Sequence, residues 1–557
     1  MKKAVIYQIF TRTACNSSTT CIPGGSIADN GCGKMNSFTP TVLDSIRSMG
    51  VTHIWFTGLI AHASCTDYSQ FGIPVSHHST VKGKAGSPYA IRDYYDIDPD
   101  LAVSVPDRMN EFDALVSRVH ESGMKFIMDF VPNHVARQYR SIMMPAGVKG
   151  LGESDDTGLS FSPNNNFYYI PGQKLSGEPN WGDYCEFPAK ATGNDRFSAY
   201  PSYSDWYETV KLNYGRDYSN GISHFDPVPD TWVKMLDILL YWADKGVDAF
   251  RCDMAEMVPV EFWHWAIGKV KKKHRKIQFI AEIYNPGSYS SYIGFGQFDY
   301  IYDKVGLYDT LRAVVEGRES ATAITRCWQQ TGENGSHMLH FMENHDEQRL
   351  ASDFFAGMAE KGIPAMIVSA FMDTCPVMVY SGQEVGERGM DKEGFSGLDG
   401  RSTIFDYWSP DTLRRLYNDG KWNDGLLSDR ERKIRCFYST LLKACNREKA
   451  ISGGRFFDLM YVNPVSDHFN PHKMYAFLRA DSHHAVLVVA NFSDKAMNIA
   501  VNIPQHAFDY LCMTEKNDCL LNDLLSGQSV RSDISPTRPV RVQVPAYGGV
   551  ALRWSLL

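Results

Sequence analysis

The 557 residues exceed what a single barrel or sandwich needs, and 43% apolar with 22% charged residues is the make-up of an ordinary folded chain of two or three domains. A formal net charge of −8 gives no reason to expect nucleic acid or an anionic membrane surface as a partner, and no apolar run is long enough to span a bilayer. The twelve cysteines show no zinc-type spacing; Cys15, Cys21 and Cys32 cluster and Cys512 lies near Cys519, so a few disulfides are compatible with the sequence, and the others read as buried thiols.

The chain starts Met1-Lys2-Lys3-Ala4 and passes directly into Val5-Ile6-Tyr7-Gln8-Ile9-Phe10, which lacks the apolar core of a signal peptide and reads as a strand. That leaves a cytoplasmic location, or an exported one whose signal has been removed. Val51–Phe56 reads as a second strand, and Phe126–Val131 as a third that closes on Asn133-His134. From 135 to about 220 the alternation of strand and helix stops; Gly, Pro, Asn, Ser and Tyr dominate, and so long an irregular stretch inside a compact domain is usually functional. Alternation resumes near Pro229 and runs to about Lys443, with apolar runs ending on Arg251-Cys252-Asp253, on Glu282, on His345-Asp346 and on Glu384. The tail is rich in strands, among them His484–Phe492 and Val550–Trp554.

Apolar strands alternating with helices predict a parallel sheet with helices outside it. Polar residues at the C-terminal strand ends match the active face of an eight-stranded β/α barrel. The most telling segment is Gly246–Asp253. Side chains alternate along a strand, so Arg251 and Asp253 share one face and Phe250 and Cys252 the other. A guanidinium beside a carboxylate favours its ionised form, and an ionised, positioned aspartate is what a retaining glycosidase uses as nucleophile.

The four stretches ending at His134, Asp253, Glu282 and Asp346 resemble, in this order, the four signature regions of the α-amylase family of glycoside hydrolases (family 13). Val5–Phe10, Val51–Phe56 and Pro376–Glu384 are similar to that family's first, second and eighth barrel strands, and the resemblance runs over nearly the whole chain. It implies an α/β fold: a (β/α)8 TIM barrel from 1–134 and 221–445, an inserted irregular domain at 135–220 after strand 3, and a C-terminal antiparallel β-sandwich domain at 446–557. It also implies retaining hydrolysis of α-1,4-glucosidic bonds in starch, glycogen or maltodextrins through a covalent glycosyl-enzyme intermediate. An α-glucan or maltosyl transferase using the same double displacement is the alternative, since the two differ only in whether water or a sugar hydroxyl intercepts the intermediate. A non-catalytic scaffold should have lost some of these carboxylates, and all are present.

By this resemblance Asp253 is the nucleophile, Glu282 the general acid and then base, and Asp346 the third carboxylate, binding hydroxyls and stabilising the charge that develops on the ring. Arg251 orients and ionises Asp253, His134 and His345 hydrogen-bond the sugar being cleaved, and Tyr89 gives its stacking platform. Asn133, Asp93 and Glu384 are expected to be structural, and Asp129 to hold the first-region loop.

Two departures stand out. Many members of the family hold calcium between the barrel and the inserted domain, but here Lys211 stands where they carry an aspartate and Met257 where they carry a histidine. Ammonium and thioether are not ligands for a hard, oxygen-seeking cation. No calcium is therefore expected at that interface, calcium elsewhere is left open, and no cofactor is required. Glu256 and Met257 also replace the usual Lys-His pair on the leaving-group side, and Ala90 replaces the aspartate with which α-glucosidases hold a terminal glucose. The sequence thus favours an open cleft for α-glucan oligosaccharides or polysaccharides, with no nucleic acid and no membrane insertion.

Overall fold

The computed structural model describes residues 3–389, 392–395 and 397–557. Eight short strands carry the architecture: β1 (Val5–Phe10), β2 (His53–Thr57), β3 (Lys125–Phe130), β4 (Ala249–Cys252), β5 (Gln278–Ala281), β6 (Tyr300–Tyr302), β7 (Met338–Leu339) and β8 (Val377–Tyr380). All neighbours pair in parallel, in the order β7-β6-β5-β4-β3-β2-β1-β8. The two ends of that sheet meet at His340, whose N–H donates to the Pro376 carbonyl at 3.0 Å and whose carbonyl accepts from Met378 at 2.8 Å. The sheet closes into a barrel there. Strands buried on both faces favour apolar residues along most of their length, which is why these segments read as largely apolar runs and not as an alternation.

Inside the barrel, Ile6, Trp55, Ile127, Ala249, Ile280, Tyr302, Leu339 and Met378 pack into one cluster. The intervening residues point outward: Phe56 stacks on Phe126 with ring centroids 5.0 Å apart, and Phe250 lies 5.7 Å from Phe279. These outward rings meet the surrounding helices, including Arg108–Glu121, Asp230–Asp244 and Val260–Lys273.

Strand β3 ends at Phe130; Pro132, two residues on, has no N–H with which to extend a ladder. The chain then leaves the barrel, and His134–Ala136 pairs antiparallel with Thr209–Lys211. Between these two pieces the structure is irregular, with two-residue strands such as Tyr169–Ile170 against Ala189–Lys190. Gly193 lies against His134 so closely that a Cβ there would stand 2.9 Å from the histidine Cβ.

Beyond the long helix Asp429–Arg447 comes antiparallel structure. The strands are β9 (Arg455–Asp458), β10 (Met474–Ala480), β11 (His484–Asn491), β12 (Met497–Val501), β13 (Lys516–Asp523), β14 (Ser529–Ile534), β15 (Val540–Val544) and β16 (Gly548–Ser555). They form a six-stranded sheet in the order β9-β10-β11-β16-β13-β14 and a two-stranded sheet, β12-β15. All twelve cysteines are free, and no helix among the described residues is long and apolar enough to cross a membrane.

Candidate active site

The alternation of β4 does what its sequence requires: Ala249, Arg251 and Asp253 face the barrel axis, while Phe250 and Cys252 are in the outer apolar layer. The backbone ladder continues one residue past the strand ends. Asp253 N–H donates to Phe130 O at 2.9 Å, and Glu282 N–H to Cys252 O at 3.1 Å. Both carboxylates thus leave a hydrogen-bonded backbone, not a free loop.

Arg251, with no exposed surface, ties them together. Its Nη1 lies 2.7 Å from Asp253 Oδ1 and 3.3 Å from Asp129 Oδ1, and its Nε donates to Tyr302 Oη at 3.2 Å. Its Nη2 sits 2.7 Å from Glu282 Oε2, an ion-pair contact without the alignment of a hydrogen bond. The rings of Trp55, Tyr89 and Tyr302 surround the guanidinium at 5.4, 5.4 and 5.5 Å, within cation–π range. Burial works against the cation, and the facing carboxylates outweigh it, so its pKa is raised well above the ordinary arginine value.

One guanidinium shared among three carboxylates changes the expectation for Asp253. Burial pushes its carboxyl well above the ordinary aspartate range; Arg251 pulls it down, and Glu282, Asp346 and Asp129 add to the rise. The expected lowering by Arg251 is present but is not the net result. Groups this close titrate together, so the proton the cluster retains belongs to the cluster. Asp129 is also pushed up, by burial first, against Arg251. It accepts from Trp55 Nε1 at 3.0 Å and lies on the barrel axis, a correction to the expectation that it would hold the first-region loop.

Glu282 has its own donors: Tyr284 Oη at 2.6 Å on Oε1, and the Met254 N–H at 2.8 Å on Oε2. Met254 adopts φ +43°, the left-handed region that a residue with a side chain rarely enters. Strain of this kind persists where the surroundings over-determine it, and here it accompanies an N–H turned onto Glu282. Glu256, on the same side, accepts from the Tyr284 and Asn285 N–H groups at 3.2 and 3.1 Å and so fixes the loop that carries Tyr284.

His345 lies under Tyr89, their rings stacked at 5.2 Å, with the Tyr89 hydroxyl hydrogen-bonded to Nε2. Nδ1 is hydrogen-bonded to Gln8 Nε2 at 2.8 Å, and Nε2 also lies 3.0 Å from Asp346 Oδ2. Both ring nitrogens are therefore taken by protein partners, and the structure gives His345 a positioning place behind Tyr89, not one on the open cavity. Asp346 keeps 38% of its side chain exposed. Its partial burial acts upward but is outweighed by His345, Arg251 and Arg401, which hold it at about 2. His134 is pushed down to about 3 by burial and by the charges of Lys211 and Lys82, so it is neutral at neutral pH.

Tyr89, His134, Asp253, Glu282 and Asp346 line one cavity of about 360 Å³, joined by Trp206 and Tyr284. Arg251 and His345 lie beneath it. Asn133, Asp93 and Glu384 are buried in structural contacts: Asn133 Nδ2 donates to Gly193 O at 2.8 Å, Asp93 accepts from the Ile142 N–H at 2.7 Å, and Glu384 accepts from Tyr7. Sequence reasoning missed Tyr284, although Glu282-Ile283-Tyr284 continues the strand alternation that puts positions two apart on one side.

The residues at the barrel–insert junction do not fit calcium. The Lys211 ammonium itself sits among the oxygens there, donating to Asn133 Oδ1 and, at 3.2 Å, to Met257 O, and lying 2.7 Å from Asp195 Oδ1. A cation site already filled by a covalently attached cation offers a second one only repulsion.

Residues 8–288 match the family described as alpha amylase, catalytic domain. The chain is 23% identical over 480 residues to alpha-amylase 3 of Dictyoglomus thermophilum, an alignment covering 82% of this chain and 79% of that protein. It is 34% identical over 92 residues to the alpha-1,4-glucan:maltose-1-phosphate maltosyltransferase of Cereibacter sphaeroides, 15% of this chain and 16% of that one. In fold it is similar to the maltogenic alpha-amylase AmyB of Thermotoga neapolitana, with a TM-score of 0.63 and 20% identity, covering 100% of this chain and 99% of the other.

Proposed function

Because this chain belongs to the α-amylase family of glycosidases, we propose that it hydrolyses α-1,4-glucosidic bonds in maltodextrins, starch or glycogen with retention of configuration. The observation that carries this reading is the pair of carboxylates on adjacent strand ends, held by the two terminal nitrogens of one guanidinium but given different donors. A retaining pair stands about 5–5.5 Å apart, close enough for direct attack.

Asp253 attacks the anomeric carbon. The bond to the leaving oxygen breaks, and that oxygen takes the proton of Glu282. The product is a neutral glycosyl ester of Asp253. Burial disfavours the free carboxylate and does not disfavour the ester, so the environment that pushes Asp253 up also supports the intermediate. In the second step water gives its proton to Glu282 and its oxygen to the anomeric carbon, releasing Asp253. Asp346, ionised across the working range, accepts hydroxyls of the distorted ring, and Tyr89 supplies a face for it. We further propose that no calcium is held at the barrel–insert junction and that Lys211 supplies the charge there.

The short match to a maltosyltransferase keeps transfer as the second reading, because a sugar hydroxyl in place of water completes the same second step. A timed product profile on maltoheptaose separates them. Short maltooligosaccharides alone, released first as the α-anomer, are the expected result, and products longer than the substrate would replace hydrolysis by transfer. Asp253→Asn should lower kcat on the order of 10⁴-fold, as loss of a nucleophile does, while still binding oligosaccharide. Undiminished turnover in that variant would remove Asp253 from the mechanism.

A further inference from the structure

The wall of the cavity on the far side of β4 from Glu282 carries an ion pair that the catalytic scheme does not use. Lys82, on the loop after β2, lies 2.9 Å from Glu208, in the segment inserted after β3, and their side chains are 11% and 5% exposed. Both line the cavity with Tyr89 and His134. The pair therefore joins the two walls of the site. Glu282 and Tyr284 follow β5, on the other side of Asp253, and mark the leaving-group side. Lys82 and Glu208 face the sugar that stays with the enzyme.

Neither end of this bar is loose. Arg12 clamps the Lys82 loop by donating to Ala85 O at 3.0 Å and Ile404 O at 2.9 Å. At Gly86, φ +74°, a Cβ would stand 1.8 Å from Ala63 O, so the loop lies against the barrel as only glycine allows. Glu208 is held through its carbonyl, which accepts from the Arg137 N–H at 3.1 Å. Among the described residues, its buried Oε2 has no hydrogen-bond partner apart from the contact to Lys82.

We infer that the Lys82–Glu208 pair bars the glycone end of the cavity and reads the free hydroxyls of a chain-terminal glucose, so that the enzyme works from non-reducing ends. This rests on the assignment of Asp253 and Glu282 given above. A carboxylate only accepts and an ammonium only donates, so together they match neighbouring hydroxyls, one donating to Glu208 and one accepting from Lys82. A terminal glucose offers a free 4-hydroxyl. An internal unit carries an ether oxygen there, which has no proton to give and would leave a buried carboxylate facing it. Sites built to bond a hydroxyl reject the analogue lacking it far more strongly than apolar pockets reject a size difference. The cavity, about 360 Å³, is near the small end of ligand sites, roughly 300–1,000 Å³.

The test compares 4-nitrophenyl maltoheptaoside with the same compound blocked at its terminal 4- and 6-hydroxyls by an ethylidene group. Wild-type enzyme should release short saccharides from the free substrate and cleave the blocked one more slowly by about a hundredfold or more. Lys82→Met and Glu208→Gln should each narrow that ratio by about tenfold, the worth of one charge-assisted hydrogen bond. Equal wild-type rates on the two substrates would overturn the inference without any variant needing to fold, and so would a ratio that neither substitution moves. Cleavage of neither substrate by the wild type would instead overturn the hydrolytic reading itself.

Discussion

Arg251 is the residue on which the site turns, and its position carries a conflict. It faces Asp129, Asp253 and Glu282 at 3.3, 2.7 and 2.7 Å, one cation for three largely buried carboxyl groups at the floor of the cavity. The fold therefore holds Asp253 above its unfolded value near 3.9. Between the unfolded and the folded pKa the unfolded chain has lost a proton that the native cluster of carboxyl groups still binds. Stability consequently falls as pH rises through that window. Asp253→Asn, which keeps the shape and removes the charge, should then melt higher than wild type at pH 7, by about 1–3 °C, and at the same temperature at pH 3, where the wild-type carboxyl is already protonated. Thermal melts at the two pH values decide this; an equal shift at both would mean that packing and not charge is responsible. A site that is stabilised by losing its proposed nucleophile is one where stability has been given up for chemistry.

At the scale of elements, the barrel was legible because each strand is buried on both faces and ends in a polar group at the same end. Asp253, Glu282 and Asp346 stand at such strand ends in the sequence, and the resemblance of their stretches to the α-amylase signature regions singled them out. What could not be read were contacts between elements distant in sequence: Glu208 against Lys82, Asp129 turned to Arg251, and His345 sealed behind Tyr89 by Gln8 from β1. The insert is the extreme case, since its irregular backbone has no period to read. Its attachment depends on Lys211, on the strand pairing with His134–Ala136. Burial pushes the Lys211 amine down and Asp195 pulls it back, and its donors reach Asn133 and Met257 on the barrel side. Lys211→Met leaves those oxygens without a donor and should cost about 1–3 kcal/mol in urea unfolding; Asp195, a third exposed, keeps the loss below that of a fully buried pair. Wild-type Tm should be indifferent to EDTA and to added calcium. A fall in Tm with EDTA would show a cation doing what Lys211 is assigned here.

At the scale of the whole molecule, one apolar cluster runs from the outer face of the barrel through the helix Ile363–Phe371 into β10, β11 and β16, without a polar layer between them. The junction is sewn by Arg479 on β10, 1% exposed, whose hydrogen bonds go to backbone carbonyls. It donates to Met372 O at 2.8 Å past the end of that helix, to Ala450 O and Ile451 O at 3.2 and 3.0 Å, and to Gly454 O at 2.7 Å. Burial drives its pKa down to about 10, against the pull of the Asp373 charge, so it remains a cation at neutral pH, hydrogen-bonded to carbonyl oxygens. Arg479→Met fills the space but orphans four carbonyl acceptors, three of them buried, and should cost about 3 kcal/mol or more. Because barrel and sheet share their apolar contact, the loss should be felt by both at once. Unfolding followed by far-UV circular dichroism and by residual activity should give a single coincident transition, moved to lower denaturant. If activity instead persisted to the wild-type midpoint while part of the dichroism was lost early, the C-terminal sheet would be a passenger. The continuity of the core argues that it completes the outer shell of the barrel, and that the cavity between β2, β3 and β5 is kept in shape from the far side of the molecule.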